Sequence, residues 1–226
     1  MRLIGRDLFV RAERCVKSSR ECGGYVAWQP AVCHTVTTAF ADTRLIGFVG
    51  RLVPEKGALL LLEALSGLKS LRRKLFIIGS GPLREEICTR WQGVFGERQK
   101  VLAPVPHAEV ARYLRCLDIF VLPSYGIPTW KEQFGLTLAQ AMMAGVACNG
   151  SSSGAIPEVL GSNGLVFPEN DVDGLASTLE RLIQSETDRR ELGGKARVFA
   201  LVRYSNNAVA GAYLRALGGL KGTYRN

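Results

Sequence analysis

The chain has 226 residues and is 47% hydrophobic, which excludes a disordered protein and allows one large or two small domains. Lysine and arginine number 29 against 20 aspartate and glutamate residues, so phosphates, nucleic acid and an anionic membrane face are all compatible partners by charge. No apolar run approaches the roughly 20 residues of a membrane span, and residues 1–6 lack the apolar core of a secretory signal, so we expect a cytoplasmic protein.

Residues 1–40 are a basic segment without sustained helical or strand periodicity, and we leave its structure unassigned. It contains Cys15, Cys22 and Cys33, with His34 directly after the last, but gaps of six and ten residues match no common zinc-finger spacing. The whole chain has six cysteines and no Cys-x-x-Cys pair, which favours reduced thiols over a disulfide framework.

Residues 41–226 alternate short β-favouring runs with amphipathic segments, as expected for a parallel sheet with helices on both faces. We predict strands at 45–49, 75–78, 100–103, 119–122, 146–148 and 165–167. We predict helices at 58–68, 83–92, 108–116, 134–144, 172–184, 188–200 and 206–217. Right-handed crossovers then give one Rossmann-like, doubly wound α/β domain of about six strands, with its ligand at the carboxyl ends of the strands.

The loop after the first predicted strand carries Gly50, Arg51 and Lys56 around a proline turn. Arginine offers a planar fork of donors and lysine a compact point charge, so the two side chains could converge on one dianion. A solvated basic turn that caps the next helix is the alternative.

The loop after the second predicted strand is Gly79-Ser80-Gly81-Pro82. Two glycines at a strand end let a backbone approach a ligand closely, and Pro82 suits the first position of a helix. A plain turn from strand to helix is the commoner meaning of this pattern. His107 opens a later helix, and we interpret it as a helix-start residue, not as a catalytic base.

Glu132 precedes an apolar helical run that begins near Gly135, and Gln140 lies eight residues after Glu132. At 100° per residue this spacing leaves a modest angular offset, so one ligand could reach both side chains. The run follows a predicted strand, which directs its first amides and the positive end of its dipole to a site suited to phosphate. Alternatively, Glu132 serves only the helix dipole and Gln140 is solvated.

Taken together, seven motifs occur in one order: Gly-Arg-x-x-x-x-Lys-Gly, Gly-Ser-Gly-Pro, Pro-Ser, Lys-Glu-Gln-Phe-Gly-Leu, Ala-Met-x-Ala-Gly-Val, Ser-x-Ser-Gly-Ala-Ile-Pro-Glu and Gly-Leu-Val-Phe-Pro. From about residue 45 to 214 the chain resembles the carboxyl-terminal half of the family 4 GT-B retaining glycosyltransferases. The resemblance implies that the domain binds a nucleotide-diphosphate sugar and transfers the glycosyl group with retention, in polysaccharide or glycolipid biosynthesis.

The resemblance also implies roles for individual residues. Arg51 and Lys56 would hold the donor diphosphate and stabilise the charge left on it, while Glu132 would hold hydroxyls of the transferred sugar. The nucleotide sugar is a substrate, and neither a cofactor nor a metal is expected, because basic side chains and a helix terminus replace the metal. The remaining donor-binding positions would be Gly50, Ser80, Gly81, Phe134, Gly135, Leu136 and Gln140.

The chain departs from the family pattern in two ways. Gln140 stands where the family has a second carboxylate that grips the ribose, and a neutral hydrogen bond is worth about 1 kcal/mol against about 1.5–3 for a charged one. Residues 1–40 are too few for the amino-terminal acceptor domain of the family. We therefore expect an enzyme that is incomplete alone and works with a separate acceptor-binding subunit or as a homo-oligomer.

Two other functions stay open. One is a non-catalytic or truncated nucleotide-sugar-binding domain, and the other is a sugar-nucleotide epimerase of related architecture. We expect no nucleic-acid partner. The tail after residue 201 has basic residues and no acidic ones, which would suit peripheral contact with the inner membrane face, although a solvated tail is the simpler interpretation.

Overall fold

Six parallel strands form a single sheet in the computed structural model, which describes residues 43–68, 70–95 and 99–220. The spatial order is β3-β2-β1-β4-β5-β6, and every neighbouring pair is parallel. This confirms the predicted doubly wound fold and all six strands. The strands are β1 (Arg44–Val49), β2 (Arg73–Ile78), β3 (Gln99–Leu102), β4 (Ile119–Leu122), β5 (Ala147–Ser151) and β6 (Leu165–Phe167).

Helices connect the strands and cover both faces of the sheet. A short 3-10 turn, Pro54–Lys56, precedes the first of them. The helices are α1 (Ala58–Gly67), α2 (Arg84–Phe95), α3 (His107–Leu114), α4 (Leu136–Met143), α5 (Ile156–Leu160), α6 (Val172–Gln184), α7 (Glu186–Tyr204) and α8 (Asn206–Leu220). Within the described residues, none of these helices combines the length and apolar content that a membrane crossing requires.

The alternation of side chains along each strand divides the core into two clusters. In β1, Leu45 and Val49 pack into one cluster, whereas Ile46 and Phe48 pack into the other. Successive residues of a strand point to opposite faces, so a strand that is apolar at both kinds of position must be buried on both sides. This double burial explains why the strands appear in the sequence as continuous apolar runs.

The strand order reverses between β1 and β4, which are neighbours in space although three helices and two strands separate them in the chain. Asp118 fixes the start of this pairing, because its Oδ2 accepts a hydrogen bond of 2.7 Å from the Leu45 amide. In open α/β sheets, the crevice at the carboxyl ends of such a strand pair is the usual ligand site.

The structure differs from the helix predictions in the start of one helix and in the presence of another that was not predicted. The helix predicted at 134–144 begins at Leu136, because Gly135 adopts φ 74° and so stands before the helix in a left-handed conformation. The short helix α5, whose first turn contains Pro157, was not predicted. The unassigned segment 1–40, with Cys15, Cys22, Cys33 and His34, lies outside the described residues, as does the end of the basic tail after residue 220.

Candidate functional site

The loops after β1 and β2 contact each other directly at the carboxyl edge of the sheet. The Leu52 amide donates to the Ser80 carbonyl at 2.7 Å, and the Leu83 amide donates to the Leu52 carbonyl at 3.1 Å. A Cβ atom at Gly81 would overlap the Leu52 backbone, and Gly81 has φ 152°. Glycine is therefore required by this close packing, whether or not a ligand binds beside it.

Lys56 lies at the end of the 3-10 turn, and the turn directs its side chain into the crevice. Gly57 ends the turn with φ 70°, and a Cβ atom there would overlap the Pro123 carbonyl. The Lys56 Nζ atom is 2.6 Å from Glu132 Oε2, and the two side chains are only 15% and 10% exposed. The pair joins two loops that are 76 residues apart in sequence.

The Glu132 carboxylate is held from several sides. Its Oε2 also accepts a hydrogen bond of 3.1 Å from Ser124 Oγ, whose residue is fully buried. Its backbone carbonyl accepts a bond of 2.9 Å from the Ala155 amide. A Cβ atom on Gly154 would overlap that same carbonyl. A buried carboxylate needs this combination of a cation and a hydroxyl donor to compensate for lost hydration.

Two serines at the end of β5, Ser151 and Ser152, make hydrogen bonds within the protein. The Ser151 hydroxyl donates to the Ser124 carbonyl, and Ser152 Oγ accepts a bond of 3.0 Å from the Glu169 amide. Both contacts hold the loops around Glu132 together. These two hydroxyls therefore serve the packing of the loops.

Between β4 and Glu132, residues 127–130 form a turn that is closed by backbone hydrogen bonds. The Ile127 and Trp130 backbones exchange two hydrogen bonds, of 2.9 and 3.1 Å. The Gly126 amide donates to Glu169 Oε2 at 2.7 Å, and this bond is the main reason why the pKa of Glu169 lies below its ordinary value. The Trp130 ring lies against Lys56, with 4.4 Å from Nζ to the ring centroid.

The amino terminus of α4 opens onto the same crevice. Thr137 Oγ1 donates to the carbonyl of Val49, the last residue of β1, at 3.3 Å. Phe134 and Leu136 have exposed side chains on either side of Gly135, the residue that precedes the helix. The first amides of a helix lack internal partners, so this end of α4 can receive an anion.

Gln140 and Glu132 have different protein partners, since Gln140 lies within α4 and Glu132 lies in the loop before it. Gln140 Nε2 is 3.2 Å from Nε2 of His107, which is the first residue of α3, as predicted. Gln140 Oε1 is buried and has no hydrogen-bond partner among the described residues. The amide therefore retains an unused acceptor on the side of α4 that faces α3.

Arg51 is arranged differently from Lys56. Its side chain is 65% exposed and lies 3.8 Å from Glu55, in a contact weaker than a hydrogen-bonded ion pair. An exposed guanidinium and a paired ammonium on the same loop could reach an anion from two directions. Within the described part of the chain, no three histidine, cysteine, aspartate or glutamate side chains group as metal ligands would.

The sequence interpretation did not assign a function to Trp130, Ser124 or Glu169. Ser124 belonged to a recognised Pro-Ser motif, and Trp130 lies two residues before Glu132, so proximity to the site was the available signal. Glu169 gave no such signal, because it reaches the site from a distant loop, 43 residues after Gly126.

Comparison with known proteins identifies related sequences. A protein-family model described as glycosyl transferases group 1 matches residues 34–199. The chain is 33% identical over 144 residues to N-acetyl-alpha-D-glucosaminyl L-malate synthase of Bacillus anthracis, a match that covers 62% of this chain and 36% of that protein. The chain thus spans well under two thirds of the length of this curated relative.

Solved structures share the fold. Anabaena Alr3699/HepE, in complex with UDP and glucose, superposes with a TM-score of 0.69 at 20% identity, over 79% of this chain and 49% of that chain. The carboxyl-terminal domain of LpcC, a glycosyl transferase group 1 family protein from Francisella tularensis, gives a TM-score of 0.62 at 23% identity, over 72% of this chain and 87% of that one.

Proposed function

The chain belongs to the group 1 glycosyl transferases, and from this membership and the geometry of the crevice we propose that it is the donor-binding half of a retaining glycosyltransferase of the family 4 type. In this proposal it corresponds to the carboxyl-terminal half of a GT-B enzyme and binds a nucleotide-diphosphate sugar. The observation that carries the proposal is the buried pair of Lys56 and Glu132 beside the open amino terminus of α4.

The donor diphosphate would lie between the two basic side chains and the helix terminus. Lys56 and Arg51 supply positive charge, and the amides at residues 134–136 supply donors along the helix dipole. This arrangement does the work that a divalent cation does in other enzymes, so we infer that transfer is metal-independent. The group transferred would be a hexosyl or another glycosyl group. Its hydroxyls would donate hydrogen bonds to the Glu132 carboxylate.

The nucleoside would occupy the side of the crevice formed by Gly50, Ser80 and Gly81. Gln140 lies toward α3, and its buried, unpartnered Oε1 suits a hydroxyl donor such as a ribose. During transfer, the bond from the sugar to the diphosphate breaks and negative charge develops on the leaving phosphate. Arg51 and Lys56 stabilise that charge, while the acceptor approaches the sugar on the face that the leaving group departs from, which retains the configuration.

The acceptor would be bound by a second half that these 226 residues do not supply. Two observations support this: the chain spans less than half of its curated relatives, and α8 exposes a largely apolar surface. Val209, Tyr213 and Leu214 of α8 are all more than half exposed, the typical property of a surface that contacts a partner. The second half would come from a separate subunit or another copy of the chain.

We place this activity in the cytoplasm, with peripheral contact at the inner membrane face for acceptors of polysaccharide or glycolipid biosynthesis. Exposed basic residues near the carboxyl end, such as Arg203, support the membrane contact by charge. A non-catalytic nucleotide-sugar-binding domain is the second candidate, since Gln140 replaces a carboxylate that the family uses. Sugar transfer on addition of an acceptor-binding half distinguishes the two.

The test of the donor site is a thermal-shift titration of the chain with UDP, GDP, ADP and their sugar conjugates. At 100 times its dissociation constant, a ligand adds about 2.7 kcal/mol of stability, or about 5–10 °C for a domain of this size. We expect a shift of this kind with one nucleotide.

Arg51→Ala should reduce that shift, whereas Arg90→Ala should not. The two arginines are matched in exposure, 65% and 63%, and each lies near a glutamate four positions away in sequence, Glu55 at 3.8 Å for Arg51 and Glu86 at 2.7 Å for Arg90. Neither substitution should change the stability of the free chain by more than about 1 kcal/mol. No shift with any nucleotide would refute a functional donor site in this chain.

A further inference from the structure

Trp130 contacts the Lys56 ammonium in a way that no motif predicted. The ring centroid is 4.4 Å from Nζ, within the range of about 6 Å in which a cation is attracted to an aromatic face. The same ammonium is 2.6 Å from Glu132 Oε2. Lys56 is therefore held between a carboxylate and an indole face, both on the loop that leads to α4.

The position of the ring is defined by the backbone of its turn. Two hydrogen bonds with Ile127 close the turn, and the bond from the Gly126 amide to Glu169 holds it against the loop after β6. The Trp130 side chain is partly buried at the edge of the crevice. A side chain carried by a closed, doubly attached turn can determine where a flexible neighbour lies.

A lysine needs such a neighbour when it must bind an anion in one place. Its four-carbon stem has many rotamers, and ordering it when a ligand binds would weaken the affinity. A second carboxylate could also order the ammonium, but it would repel the phosphate. The indole attracts the ammonium without carrying a net charge, so the positive charge stays available to a ligand.

We propose that Trp130 is a positioning residue that orders Lys56 for the donor diphosphate. This assignment rests on the proposed function, because it concerns the affinity for the same ligand. Trp130 acts through Lys56, and its contribution to diphosphate binding depends on the ammonium being present.

A double-mutant cycle tests this dependence. The nucleoside diphosphate selected by the thermal-shift titration is measured by calorimetry against the wild-type chain, Trp130→Leu, Lys56→Met and the double variant. We expect Trp130→Leu to raise the dissociation constant about three- to tenfold. It should have no further effect once Lys56 has been replaced. Trp130→Phe, which keeps a weaker aromatic face, should lie between wild type and Trp130→Leu.

The control cycle replaces Lys56→Met with Arg90→Met, which removes an exposed cation on α2. Trp130→Leu should weaken binding equally with and without Arg90. Circular dichroism and the unfolding temperature show which variants are folded. If Trp130→Leu does not fold, Trp130→Phe replaces it in the cycle.

Two results would refute the role of Trp130 without affecting the proposed function. The first is an unchanged affinity in both Trp130 variants. The second is an equal loss of affinity in the presence and absence of Lys56, which would mean that Trp130 contacts the ligand directly. A wild-type chain that binds no nucleoside diphosphate overturns the proposed function, and this assignment with it.

Discussion

Removing the Lys56 ammonium should destabilise the chain, because Glu132 would then be a buried carboxylate without its cation. In Lys56→Met the Ser124 hydroxyl would still donate to Oε2, but among the described residues no cation would replace the ammonium. Breaking a fully buried ion pair costs about 3–5 kcal/mol, and the 15% and 10% exposure of this pair reduces the cost to about 2 kcal/mol. For a chain of this length, that corresponds to a fall of about 4–8 °C in the unfolding temperature.

The assay is urea and thermal unfolding of Lys56→Met, Glu132→Gln and the double variant. Because a neutral amide at position 132 no longer needs a cation, the double variant should be more stable than the sum of the single changes predicts. The matched control is Lys195→Met. Lys195 is also 2.6 Å from a glutamate, Glu191, but both side chains are more than half exposed, so the change should stay within about 0.5 kcal/mol. Equal losses for the two lysine variants would refute the reasoning from burial.

Three further predictions concern the surrounding site. Gly154→Ala should destabilise the chain by about 3 kcal/mol or more in urea unfolding, because Gly154 has φ 54° and a Cβ atom would overlap the Glu132 carbonyl; an unchanged midpoint would contradict this. The lowered pKa of Glu169 means that its bond to the Gly126 amide stabilises the fold above the ordinary glutamate pKa of about 4.3, and that this stabilisation is lost as pH falls through the lower pKa of the folded state. Glu169→Gln should therefore lower the unfolding temperature at pH 7 and have progressively less effect toward pH 3, and a pH-independent difference would be evidence against it. Gln140→Glu should tighten nucleoside diphosphate binding about three- to tenfold if the side chain accepts from the ribose, since a charged acceptor strengthens the bond; calorimetry showing equal or weaker affinity would exclude that contact.

Strands were predictable from the sequence where both of their faces are buried. Strand β2 presents Leu75, Phe76, Ile77 and Ile78, which alternate between the two core clusters, so its apolar run identified it without ambiguity. Short helices contain too few residues to show a hydrophobic periodicity, so they could not be predicted in this way. Helix α5 has five residues, fewer than two turns, and its amino-terminal Pro157 fits a loop as well as a helix start.

The shared edge of the loops that form the candidate site was predictable, but the contacts between their side chains were not. Parallel strands bring their following loops to one edge, which is why the loops of Lys56 and Glu132 were expected to be neighbours. The ion pair itself depends on two glycines, at 57 and 154, that let the loops approach to the point where a Cβ would overlap a carbonyl. Trp130 over Lys56 and Gln140 beside His107 depend on side-chain rotamers, which no periodicity in the sequence reports.

Helix α8 is the surface through which the proposed function would require a partner. It has a single charged residue, Arg215, among 15 positions, and its packing in the described structure is mainly against α7. A helix of this length is marginal in water without tertiary contacts, so its apolar surface is expected to gain stability from a partner. The carboxylate, hydroxyl, ammonium and indole of the site come instead from loops that the sheet edge holds. If the proposed function holds, donor binding should be measurable on this chain by itself, whereas transfer would depend on the partner that covers α8.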